Sequence, residues 1–547
     1  MEADFIIVGA GAAGCVLADR LSADGQTKVL VVEAGGMDRH PLIHIPAGFY
    51  HLLRKAAFGW GYQTDPEPGL DGRRIVFPRG KVVGGSGSIN GLWQSRGLPA
   101  DYDAWSETGG PEWGYNGLLP YFRKSEAFLP GAEPGRAVDG SRGRKGPIPV
   151  VESEVHPLTQ RFFNGLNSLQ IPELNDYNSG SGEGFAKIQQ TRRGRFRATA
   201  ATGYLHPALR RPNVRLITHA QVTGIIIRDG CAIGVAFERS RGKSERATAS
   251  REVILTSGAI NSPQLLQLSG IGPAALLKER GVAPVLDLPG VGQNLQDHFT
   301  GRVVTRVGGR PSLNQSSRGP RLWPHLARYV FRGTGILTYS AANGTAFLKS
   351  SSSEASPDLQ FVFSPASYSP EGGGRLDAFP AVTCGCWLMR PLSRGSLALA
   401  SADPYAPPRF TLGYLTESED RRRMIAGVRW ARRLLRAGFG SDYDEVRPGA
   451  DAESDDDILA YLKQTGSTVF HPVGSCRFGN DDQAVLDPHL RVRGVGRLRV
   501  VDASVMPTVP SSNTHAPVVA IAEKAADLIR QNEQAPISAS SVRSPAA

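Results

Sequence analysis

Cysteine is scarce in this sequence: only five of its 547 residues are cysteines, and no two of them form a CxxC pair. An odd number of cysteines without a CxxC pair fits reduced thiols in a cytosolic setting. No apolar run is long enough to span a membrane. The start, MEADFIIVGAGAAG, enters a strand by residue 5 and leaves no room for a signal peptide. We therefore expect a cytoplasmic protein without a transmembrane segment, for which peripheral contact with the inner membrane remains open.

The sequence also lacks a long block of like charge, although its net charge is +11. The basic residues are scattered, and the densest cluster, RRGRFR at 192–197, is short. A nucleic-acid footprint is a stripe or patch of basic residues. We therefore expect a solvated, arginine-rich surface and no nucleic-acid partner.

The chain is too long for one ordinary hydrophobic core, and its first 35 residues contain a recurring structural unit. DFIIVG predicts a short buried strand, GCVLADRLSA has helical periodicity, and KVLVVEAG predicts a second strand. Strand, helix and strand in this order build a parallel sheet. Segments of the same character recur at 251–272 and 497–507. This pattern predicts one nucleotide-binding domain that is interrupted by insertions.

The largest insertion, 301–466, alternates short apolar runs and so predicts an antiparallel sheet. It also contains an amphipathic helix with Ile425, Val428, Ala431 and Leu435 on one face. The predicted fold is therefore α/β, a Rossmann-like domain with an inserted substrate domain built on an antiparallel sheet flanked by helices. We assign 1–155, 196–300 and 467–534 to the first domain, 156–195 and 301–466 to the second, and 535–547 to a disordered tail.

The first glycine-rich turn carries a dinucleotide fingerprint. Gly9, Gly11 and Gly14 form GxGxxG between a strand and a helix, and Glu33 ends the following strand. These glycines permit a tight turn, a close pyrophosphate and close packing of helix on strand, while the carboxylate accepts hydrogen bonds from a ribose. NAD and FAD both contain an ADP half, so the fingerprint does not separate them.

Two further segments resemble a known family. GKVVGGSGSIN at 80–90 and GAINSPQLLQLSGIG at 258–272 look like the two signature segments of the glucose–methanol–choline (GMC) flavoprotein oxidoreductases. PGVGQNLQDH, FHPVGSCRFG and VVDASVMPTVPSSNTHAP are similar to further landmarks of that family, in the same order along nearly the whole chain. The resemblance is strongest to choline dehydrogenase-type alcohol dehydrogenases.

The resemblance implies FAD as the cofactor and assigns residues to it. Some relatives attach FAD through a histidine whose place Ile89 takes here, which implies a non-covalent flavin. Thr514 precedes the last predicted helix, whose positive end would face the flavin. The residues implied to hold FAD are Gly9, Gly11, Gly14, Glu33, Gly84, Gly85, Ser86, Asn90, Val222, Asp502, Ala503 and Thr514.

The family's catalytic pair falls on His471 and Asn513. When a hydride leaves an alcohol carbon, the hydroxyl proton must also leave, and neutral imidazole is the side chain best suited to accept it near neutral pH. An amide N–H stabilises the developing alkoxide. Zinc is the alternative role for His471 with Cys476, but the sequence supplies no two further ligands at suitable spacing, so we expect no metal.

The substrate is expected to be a neutral primary alcohol, aryl or aliphatic. Choline-oxidising relatives carry a glutamate two residues after the LQDH histidine, and Thr300 stands there instead. Trp93, Trp387 and Phe470 are the other candidate pocket residues. The electron acceptor, a quinone, a carrier protein or O2, and the oligomeric state stay open. Choline oxidation and a lyase or photodecarboxylase reaction on the same flavin scaffold are the alternatives.

Overall fold

The computed structural model describes residues 1–53, 55–129, 140–180, 182–309, 311–369 and 375–534. The tail predicted at 535–547 lies outside these residues. The helices in the described part are α1 (Ala12–Leu21), α2 (Pro41–His44), α3 (Phe49–Leu52), α4 (Pro99–Gly109), α5 (Tyr115–Ser125), α6 (Pro157–Ser168), α7 (His206–Ala208), α8 (Gly258–Leu268), α9 (Ala274–Glu279), α10 (Leu313–Ser316), α11 (Leu322–Arg332), α12 (Ser418–Phe439), α13 (Asp455–Thr465) and α14 (His515–Gln534).

The strands of the same ranges are β1 (Glu2–Val8), β2 (Val29–Val32), β3 (Tyr62–Gln63), β4 (Val76–Phe77), β5 (Glu126–Leu129), β6 (Ile148–Glu152), β7 (Gly184–Lys187), β8 (Gln189–Arg193), β9 (Phe196–Arg197), β10 (Val214–Ile217), β11 (Gln221–Arg228), β12 (Cys231–Glu238), β13 (Ser244–Leu255), β14 (Ile271–Gly272), β15 (Leu286–Asp287), β16 (Phe299–Arg306), β17 (Gly344–Leu348), β18 (Leu359–Ser364), β19 (Ala381–Leu388), β20 (Ser396–Ala398), β21 (Arg409–Thr411), β22 (Asp444–Arg447), β23 (Ser467–Thr468) and β24 (Leu498–Val500).

The first large sheet contains the three segments that the sequence assigned to a parallel sheet. Strands β10, β2, β1, β13 and β24 lie side by side and parallel, and β12 and β11 continue the sheet antiparallel from β13. Residues 5–8 and 29–32 are buried, as expected for a parallel sheet covered on both faces. Helix α1 packs against α14 on one face of this sheet.

The second large sheet is antiparallel, in the order β22, β16, β19, β18, β17, β7, with β23 added beside β16. Helix α12 packs on β16 and β19 through the face that the sequence predicted: Ile425, Val428, Ala431 and Leu435 are all buried. The predicted class, a mixed α/β fold with an antiparallel substrate sheet, is confirmed.

The residue ranges proposed for the two domains agree with most, though not all, of the sheet memberships. Every strand of the first large sheet lies within the ranges assigned to the nucleotide-binding domain, while β16 and β23 cross the proposed limits at 300 and 466 by two residues. A third sheet, β5–β6–β8–β9, joins strands from both. The division of the chain therefore stays a prediction.

Within the described ranges, no helix is both long and apolar enough to cross a membrane.

The packing of α1 on β1 depends on glycine at position 14. A Cβ there would lie 2.0 Å from the carbonyl oxygen of Gly9 and 2.7 Å from Oγ1 of Thr256. Contacts this short are incompatible with the backbone as it stands, and relieving them requires α1 to move away from the turn. Gly14 therefore sets the distance between the first helix and the glycine turn.

We predict that Gly14→Ala lowers the stability of the protein by about 1–3 kcal/mol, the usual cost of overpacking a well-packed interior. The matched control is Gly224→Ala in β11, since a Cβ at Gly224 would meet nothing within 4 Å. Thermal unfolding of both variants, each beside the wild type, measures the difference. Equal unfolding midpoints for the two variants would contradict the role given to Gly14.

Candidate active site

A large cavity of about 1200 Å³ lies between the two large sheets. Its walls include residues of β1, the glycine-rich segment at 80–91, β16, β19, and the segments that carry His471 and Asn513. Fifteen of the residues singled out by sequence line it: Gly9, Gly11, Glu33, Gly85, Ser86, Asn90, Val222, Asp502, Ala503, Thr514, His471, Asn513, Trp93, Trp387 and Phe470.

The two glycine-rich segments meet at one end of this cavity. Gly85 has a φ of 56°, and a Cβ on it would lie 2.9 Å from the Cα of Gly11. Gly84, with a φ of 86°, and Gly14 are outside the cavity wall but hold these turns in place. Two backbones this close leave no side chain in the way of a pyrophosphate next to the N-terminus of α1, which begins at Ala12.

The carboxylate of Glu33 is buried at the cavity wall. It accepts hydrogen bonds from the backbone N–H groups of Ala10 and Gly35, both at 2.7 Å. Burial raises the pKa of this carboxyl, while the two N–H donors lower it. Glu33 therefore joins the glycine turn to the end of β2, and its remaining lone pairs stay available to a ribose.

Asp502 has a more structural position than the sequence suggested. Its carboxylate accepts from the backbone N–H of Gly258 at 2.8 Å and from the hydroxyls of Ser262 and Ser504, both at 2.6 Å. Ser504 also donates its backbone N–H at 2.8 Å. With four protein donors the carboxylate is saturated, so it anchors the start of α8 at the cavity wall.

His471 lies between two hydrogen-bonding partners. Its Nδ1 is 2.9 Å from Nδ1 of His298, and its Nε2 is 3.0 Å from Nδ2 of Asn513. His298 Nε2 is in turn 3.0 Å from the carbonyl oxygen of Met389. Because a carbonyl only accepts, the proton of His298 resides on Nε2, and its Nδ1 accepts a proton from His471 Nδ1. The lone pair of His471 therefore lies on Nε2, at the cavity.

Both imidazoles are buried and neutral, which this arrangement requires. Burial lowers the pKa of His298 to about 4. Burial, followed by the nearby His298 and Arg79, holds the pKa of His471 well below its ordinary value. A neutral ring with a fixed tautomer is ready to accept a proton at Nε2.

Asp297 positions the backbone of the same residue. It accepts the N–H of His471 at 2.6 Å, the hydroxyl of Tyr414 at 2.6 Å, and the hydroxyl of Thr468. Phe470, just before His471, has a left-handed φ of 71°, and its carbonyl accepts from Arg79 at 2.9 Å. The turn that presents His471 is thus held from both sides.

The aromatic wall of the cavity consists of Trp93 and Trp387, whose rings pack edge to face at 5.9 Å. The ring of Trp387 lies 6.5 Å from that of His471.

Thr300 differs from the expectation: it is buried outside the cavity wall, and its hydroxyl donates to the carbonyl of Gly301 at 3.2 Å. It sits behind Gly385, where a Cβ would come within 3.5 Å of the Thr300 hydroxyl.

The last helix starts where the sequence placed it. Helix α14 begins at His515, and the carbonyl of Thr514 accepts from Val518 at 3.0 Å. Thr514, His515 and Val518 all line the cavity, so the positive end of α14 opens into it. Cys476 is buried, and among the described residues no three His, Cys, Asp or Glu side chains are grouped for a metal.

The cavity wall fits a flavin dinucleotide in two respects. Buried polar atoms on it have no protein partner: Asn513 Oδ1, His515 Nε2 and Trp387 Nε1. The glycine contacts at Gly11 and Gly85 leave a cradle that any side chain would fill. Together with Glu33, these features fit a dinucleotide-dependent oxidoreductase, and the family match below identifies the dinucleotide.

Comparison with known proteins identifies the family. Two family profiles, both described as GMC oxidoreductase, match residues 3–300 and 391–522. The chain belongs to the GMC oxidoreductases, which bind FAD, and the predicted cofactor and enzyme class are confirmed.

Individual relatives cover nearly the whole chain. An alcohol dehydrogenase [acceptor] of Pseudomonas putida is 39% identical over 545 residues, which cover 98% of this chain and 97% of that protein. An oxygen-dependent choline dehydrogenase of Photobacterium profundum is 37% identical, with 97% and 93% covered. The crystal structure of a pyridoxine 4-oxidase from Mesorbium loti is 29% identical, with a TM-score of 0.86 and coverage of 98% and 100%.

The sequence analysis missed His298 as part of this site. Nothing in the sequence shows that the histidine of LQDH lies against a residue 173 positions further along the chain. The adjacent acid and imidazole in LQDH were the available signal. The structure makes His298 a positioning residue, since it acts through His471.

We predict that His298→Leu slows flavin reduction by alcohol, because His471 Nδ1 loses its acceptor and both tautomers become populated. The loss should be smaller than the roughly 10²–10⁴ that removal of a general base costs. His298→Gln, which restores an acceptor oxygen, should recover part of the rate. Stopped-flow reduction with matched FAD content and unfolding midpoints measures this. Equal rates for the Leu and Gln variants would contradict the tautomer role.

Proposed function

We propose that this protein oxidises a primary alcohol without a cationic group, aryl or aliphatic, to the aldehyde in an FAD-dependent reaction. The observation that carries the proposal is the pair of His471 Nε2 and Asn513 Nδ2, 3.0 Å apart at the wall of the cavity. FAD, when bound, would supply the acceptor for the hydride of the carbinol carbon.

The proton of the alcohol is handled by the protein. The substrate hydroxyl takes the place of the direct contact between the two side chains: it donates its proton to His471 Nε2 and accepts an N–H from Asn513 Nδ2. Asn513 thereby stabilises negative charge as it develops on oxygen. The direct contact in the absence of alcohol keeps both groups in position.

The flavin would be held without a covalent bond. Ile89 lies at the cavity wall in the position of the histidine that attaches FAD in some relatives. Gly9, Gly11 and Gly85 would approach the phosphates, with Gly14 and Gly84 shaping those turns. Glu33 would contact the ribose and Val222 the adenine through its backbone, while Ser86, Asn90, Ala503 and Thr514 would lie along the ring and ribitol.

The side chains of the pocket support an alcohol without a cationic group, and the similarity to known relatives supplies the second candidate. Trp93 and Trp387 provide an apolar wall beside His471, which favours an apolar carbon chain or an aromatic ring. No carboxylate stands at position 300 to attract a quaternary ammonium. The similarity to choline dehydrogenases makes choline the second candidate. Electrons would pass on to a quinone or another acceptor.

We predict that His471→Ala slows flavin reduction by at least about a hundredfold, the lower end of the usual contribution of a general base. FAD should stay bound, because His471 is one of many residues on the cavity wall. The matched control is the exposed His489→Ala, which should reduce its flavin at the wild-type rate. Anaerobic mixing with a panel of aryl and aliphatic alcohols measures both variants.

The same experiment separates the alternatives. Bleaching by choline at low concentration would replace the proposed substrate, and no bleaching by any alcohol would favour a lyase or decarboxylase.

In the wild type, the reduction rate should fall only below about pH 6.5, the ordinary pKa of histidine. The base must be neutral, and burial keeps its pKa under that value.

A further inference from the structure

Arg302 is a cation in the substrate half of the cavity. It lies on β16, and strand alternation places it on the same face as Thr300 and Val304. The opposite face of β16 points to the helices, since a Cβ on Gly301 would come within 2.4 Å of the Leu462 side chain. Arg302 and Val304 line the cavity.

The position opposite Arg302 has no side chain. Its partner on β19 is Gly385, where a Cβ would lie 3.8 Å from Cγ of Arg302 and 3.1 Å from Val362. The glycine therefore leaves open space beside the arginine stem, at the wall of the cavity.

Arg302 differs from the other arginines of the cavity in having no partner. Arg447 pairs with Asp377 at 2.5 Å, and Arg79 donates to the carbonyl of Phe470 at 2.9 Å. In the described part of the chain, the guanidinium of Arg302 makes neither a hydrogen bond nor an ion pair. The titratable groups near it are Tyr368, Tyr461 and Cys386, and none is a carboxylate.

A largely buried guanidinium with no counter-ion is costly unless a ligand supplies the opposite charge. We propose that Arg302 binds a carboxylate at the far end of the alcohol substrate, so that the substrate is a hydroxy acid. This rests on the proposed function and specifies its non-cationic alcohol as an anionic one. Planar carboxylates match the two-pronged guanidinium.

The spacing sets the length of such a substrate. Thr300 pairs with Trp387, whose ring is 6.5 Å from that of His471, and Arg302 lies two residues further along β16. Two residues of an antiparallel strand span about 7 Å. An ω-hydroxy acid of medium chain length, or a hydroxymethyl benzoate, has its two ends separated on this scale.

The test compares alcohols that differ only in their far end: hexanol, ω-hydroxyhexanoate and ω-aminohexanol, with benzyl alcohol and para-hydroxymethylbenzoate as the aryl pair. In the wild type, kcat/KM should be highest for the two acids. Arg302→Met should lower kcat/KM for the acids by roughly ten- to a hundredfold, the value of a charged hydrogen bond, and spare the neutral alcohols.

Arg302→Lys should keep part of the preference. Arg306→Met is the matched control, because Arg306 lies on the same strand but is exposed and paired with Asp444 at 3.1 Å. If Arg302→Met loses FAD, a second measurement uses the wild type. Hexanoate should inhibit the wild type more strongly than hexylamine does. Two results overturn the proposal: a kcat/KM for hexanol as high as that for ω-hydroxyhexanoate, or inhibition by hexylamine as strong as inhibition by hexanoate. No reduction by any alcohol overturns the proposed function instead.

A second inference rests on a different surface. Helix α11 turns its apolar face outward: Trp323, Val330 and Phe331 are 71%, 51% and 84% exposed, and all three fall on one side of the helix. Phe196 of β9, 52% exposed, follows Arg195, whose backbone and side chain are hydrogen-bonded to this helix. We call these four residues the α11 patch.

Helix α11, which carries three of the four residues of the α11 patch, is attached to the rest of the protein through its opposite side. Tyr329 is buried and donates its hydroxyl to the carbonyl of Arg195 at 3.1 Å, while Arg195 donates to the carbonyl of Val330. The helix is thus fixed on the turn between β8 and β9. Its apolar face is left without a covering element among the described residues.

Arginines adjoin the elements of the α11 patch: Arg321 precedes α11, Arg332 ends it, and Arg193 ends β8. Arg193, Arg321 and Arg332 are exposed and form no ion pair with any described residue. Glu154 is paired with Arg328 of this helix at 2.9 Å. An exposed apolar helix face bordered by arginines has the chemistry of helices that lie in the interface of anionic membranes.

We infer that the α11 patch docks on an anionic phospholipid surface. The segment after this helix leads to the cavity, since Ser340, Ala341 and Ala342 line it. Docking would therefore bring one wall of the cavity close to the bilayer, where an apolar electron acceptor such as a quinone dissolves.

Vesicle sedimentation tests this directly. The holoenzyme should bind vesicles of phosphatidylcholine with phosphatidylglycerol, bind less at high salt, and bind poorly to phosphatidylcholine alone. The double variant Trp323→Ser, Phe331→Ser should lose binding yet keep its activity with a soluble dye acceptor. Val285→Ser, which removes an exposed valine elsewhere, should bind as the wild type does.

Two outcomes overturn the inference. One is equal vesicle binding by the wild type and the double variant. The other is no vesicle binding by the wild type together with a dimer that the double variant dissociates, which would make the α11 patch an interface between two copies of this chain.

Discussion

The site depends on one buried contact, the 2.9 Å hydrogen bond between His298 and His471. His298 immediately precedes β16, and the Met389 carbonyl that fixes its tautomer immediately follows β19. The antiparallel sheet thus decides which nitrogen of His471 carries the lone pair. A change of a few tenths of an ångström between that sheet and the turn at His471 would weaken this control. Asp297 accepts the backbone N–H of His471 and so fixes the position of the turn at His471 relative to the antiparallel sheet.

The nucleotide side of the cavity is held by close backbone contacts rather than by side chains. Gly14 lets α1 approach the turn at Gly9, and Gly85 lets the second glycine-rich segment approach Gly11. Both contacts keep side chains away from the wall next to the N-terminus of α1. The cavity therefore has two kinds of wall: a glycine-lined wall suited to phosphates, and a wall of the antiparallel sheet that carries Trp387, Arg302 and the approach to His471.

Much of this organisation could be predicted from the sequence because it is local. The burial of β1 and β2, the apolar face of α12 and the start of α14 follow from periodicity and from the residues at the helix ends. The residues proposed to handle the proton, His471 and Asn513, were found through motif resemblance. Thr300 was placed in the pocket by the same route, whereas the structure buries it behind Gly385, because motif spacing does not report which side chain reaches a cavity wall.

The sequence by itself determined the class of fold, the family and the residue types available for chemistry, since these depend on short patterns along the chain. Only the tertiary structure decided which of those residues meet. His298 and His471 are 173 positions apart, and Phe196 joins the α11 patch from a segment that was interpreted as a solvated basic surface. Among the described residues the guanidinium of Arg302 has no partner, because the fold places Tyr368, Tyr461 and Cys386 around it and no carboxylate. Such contacts depend on how sheets and helices pack across long separations, and no local pattern records that.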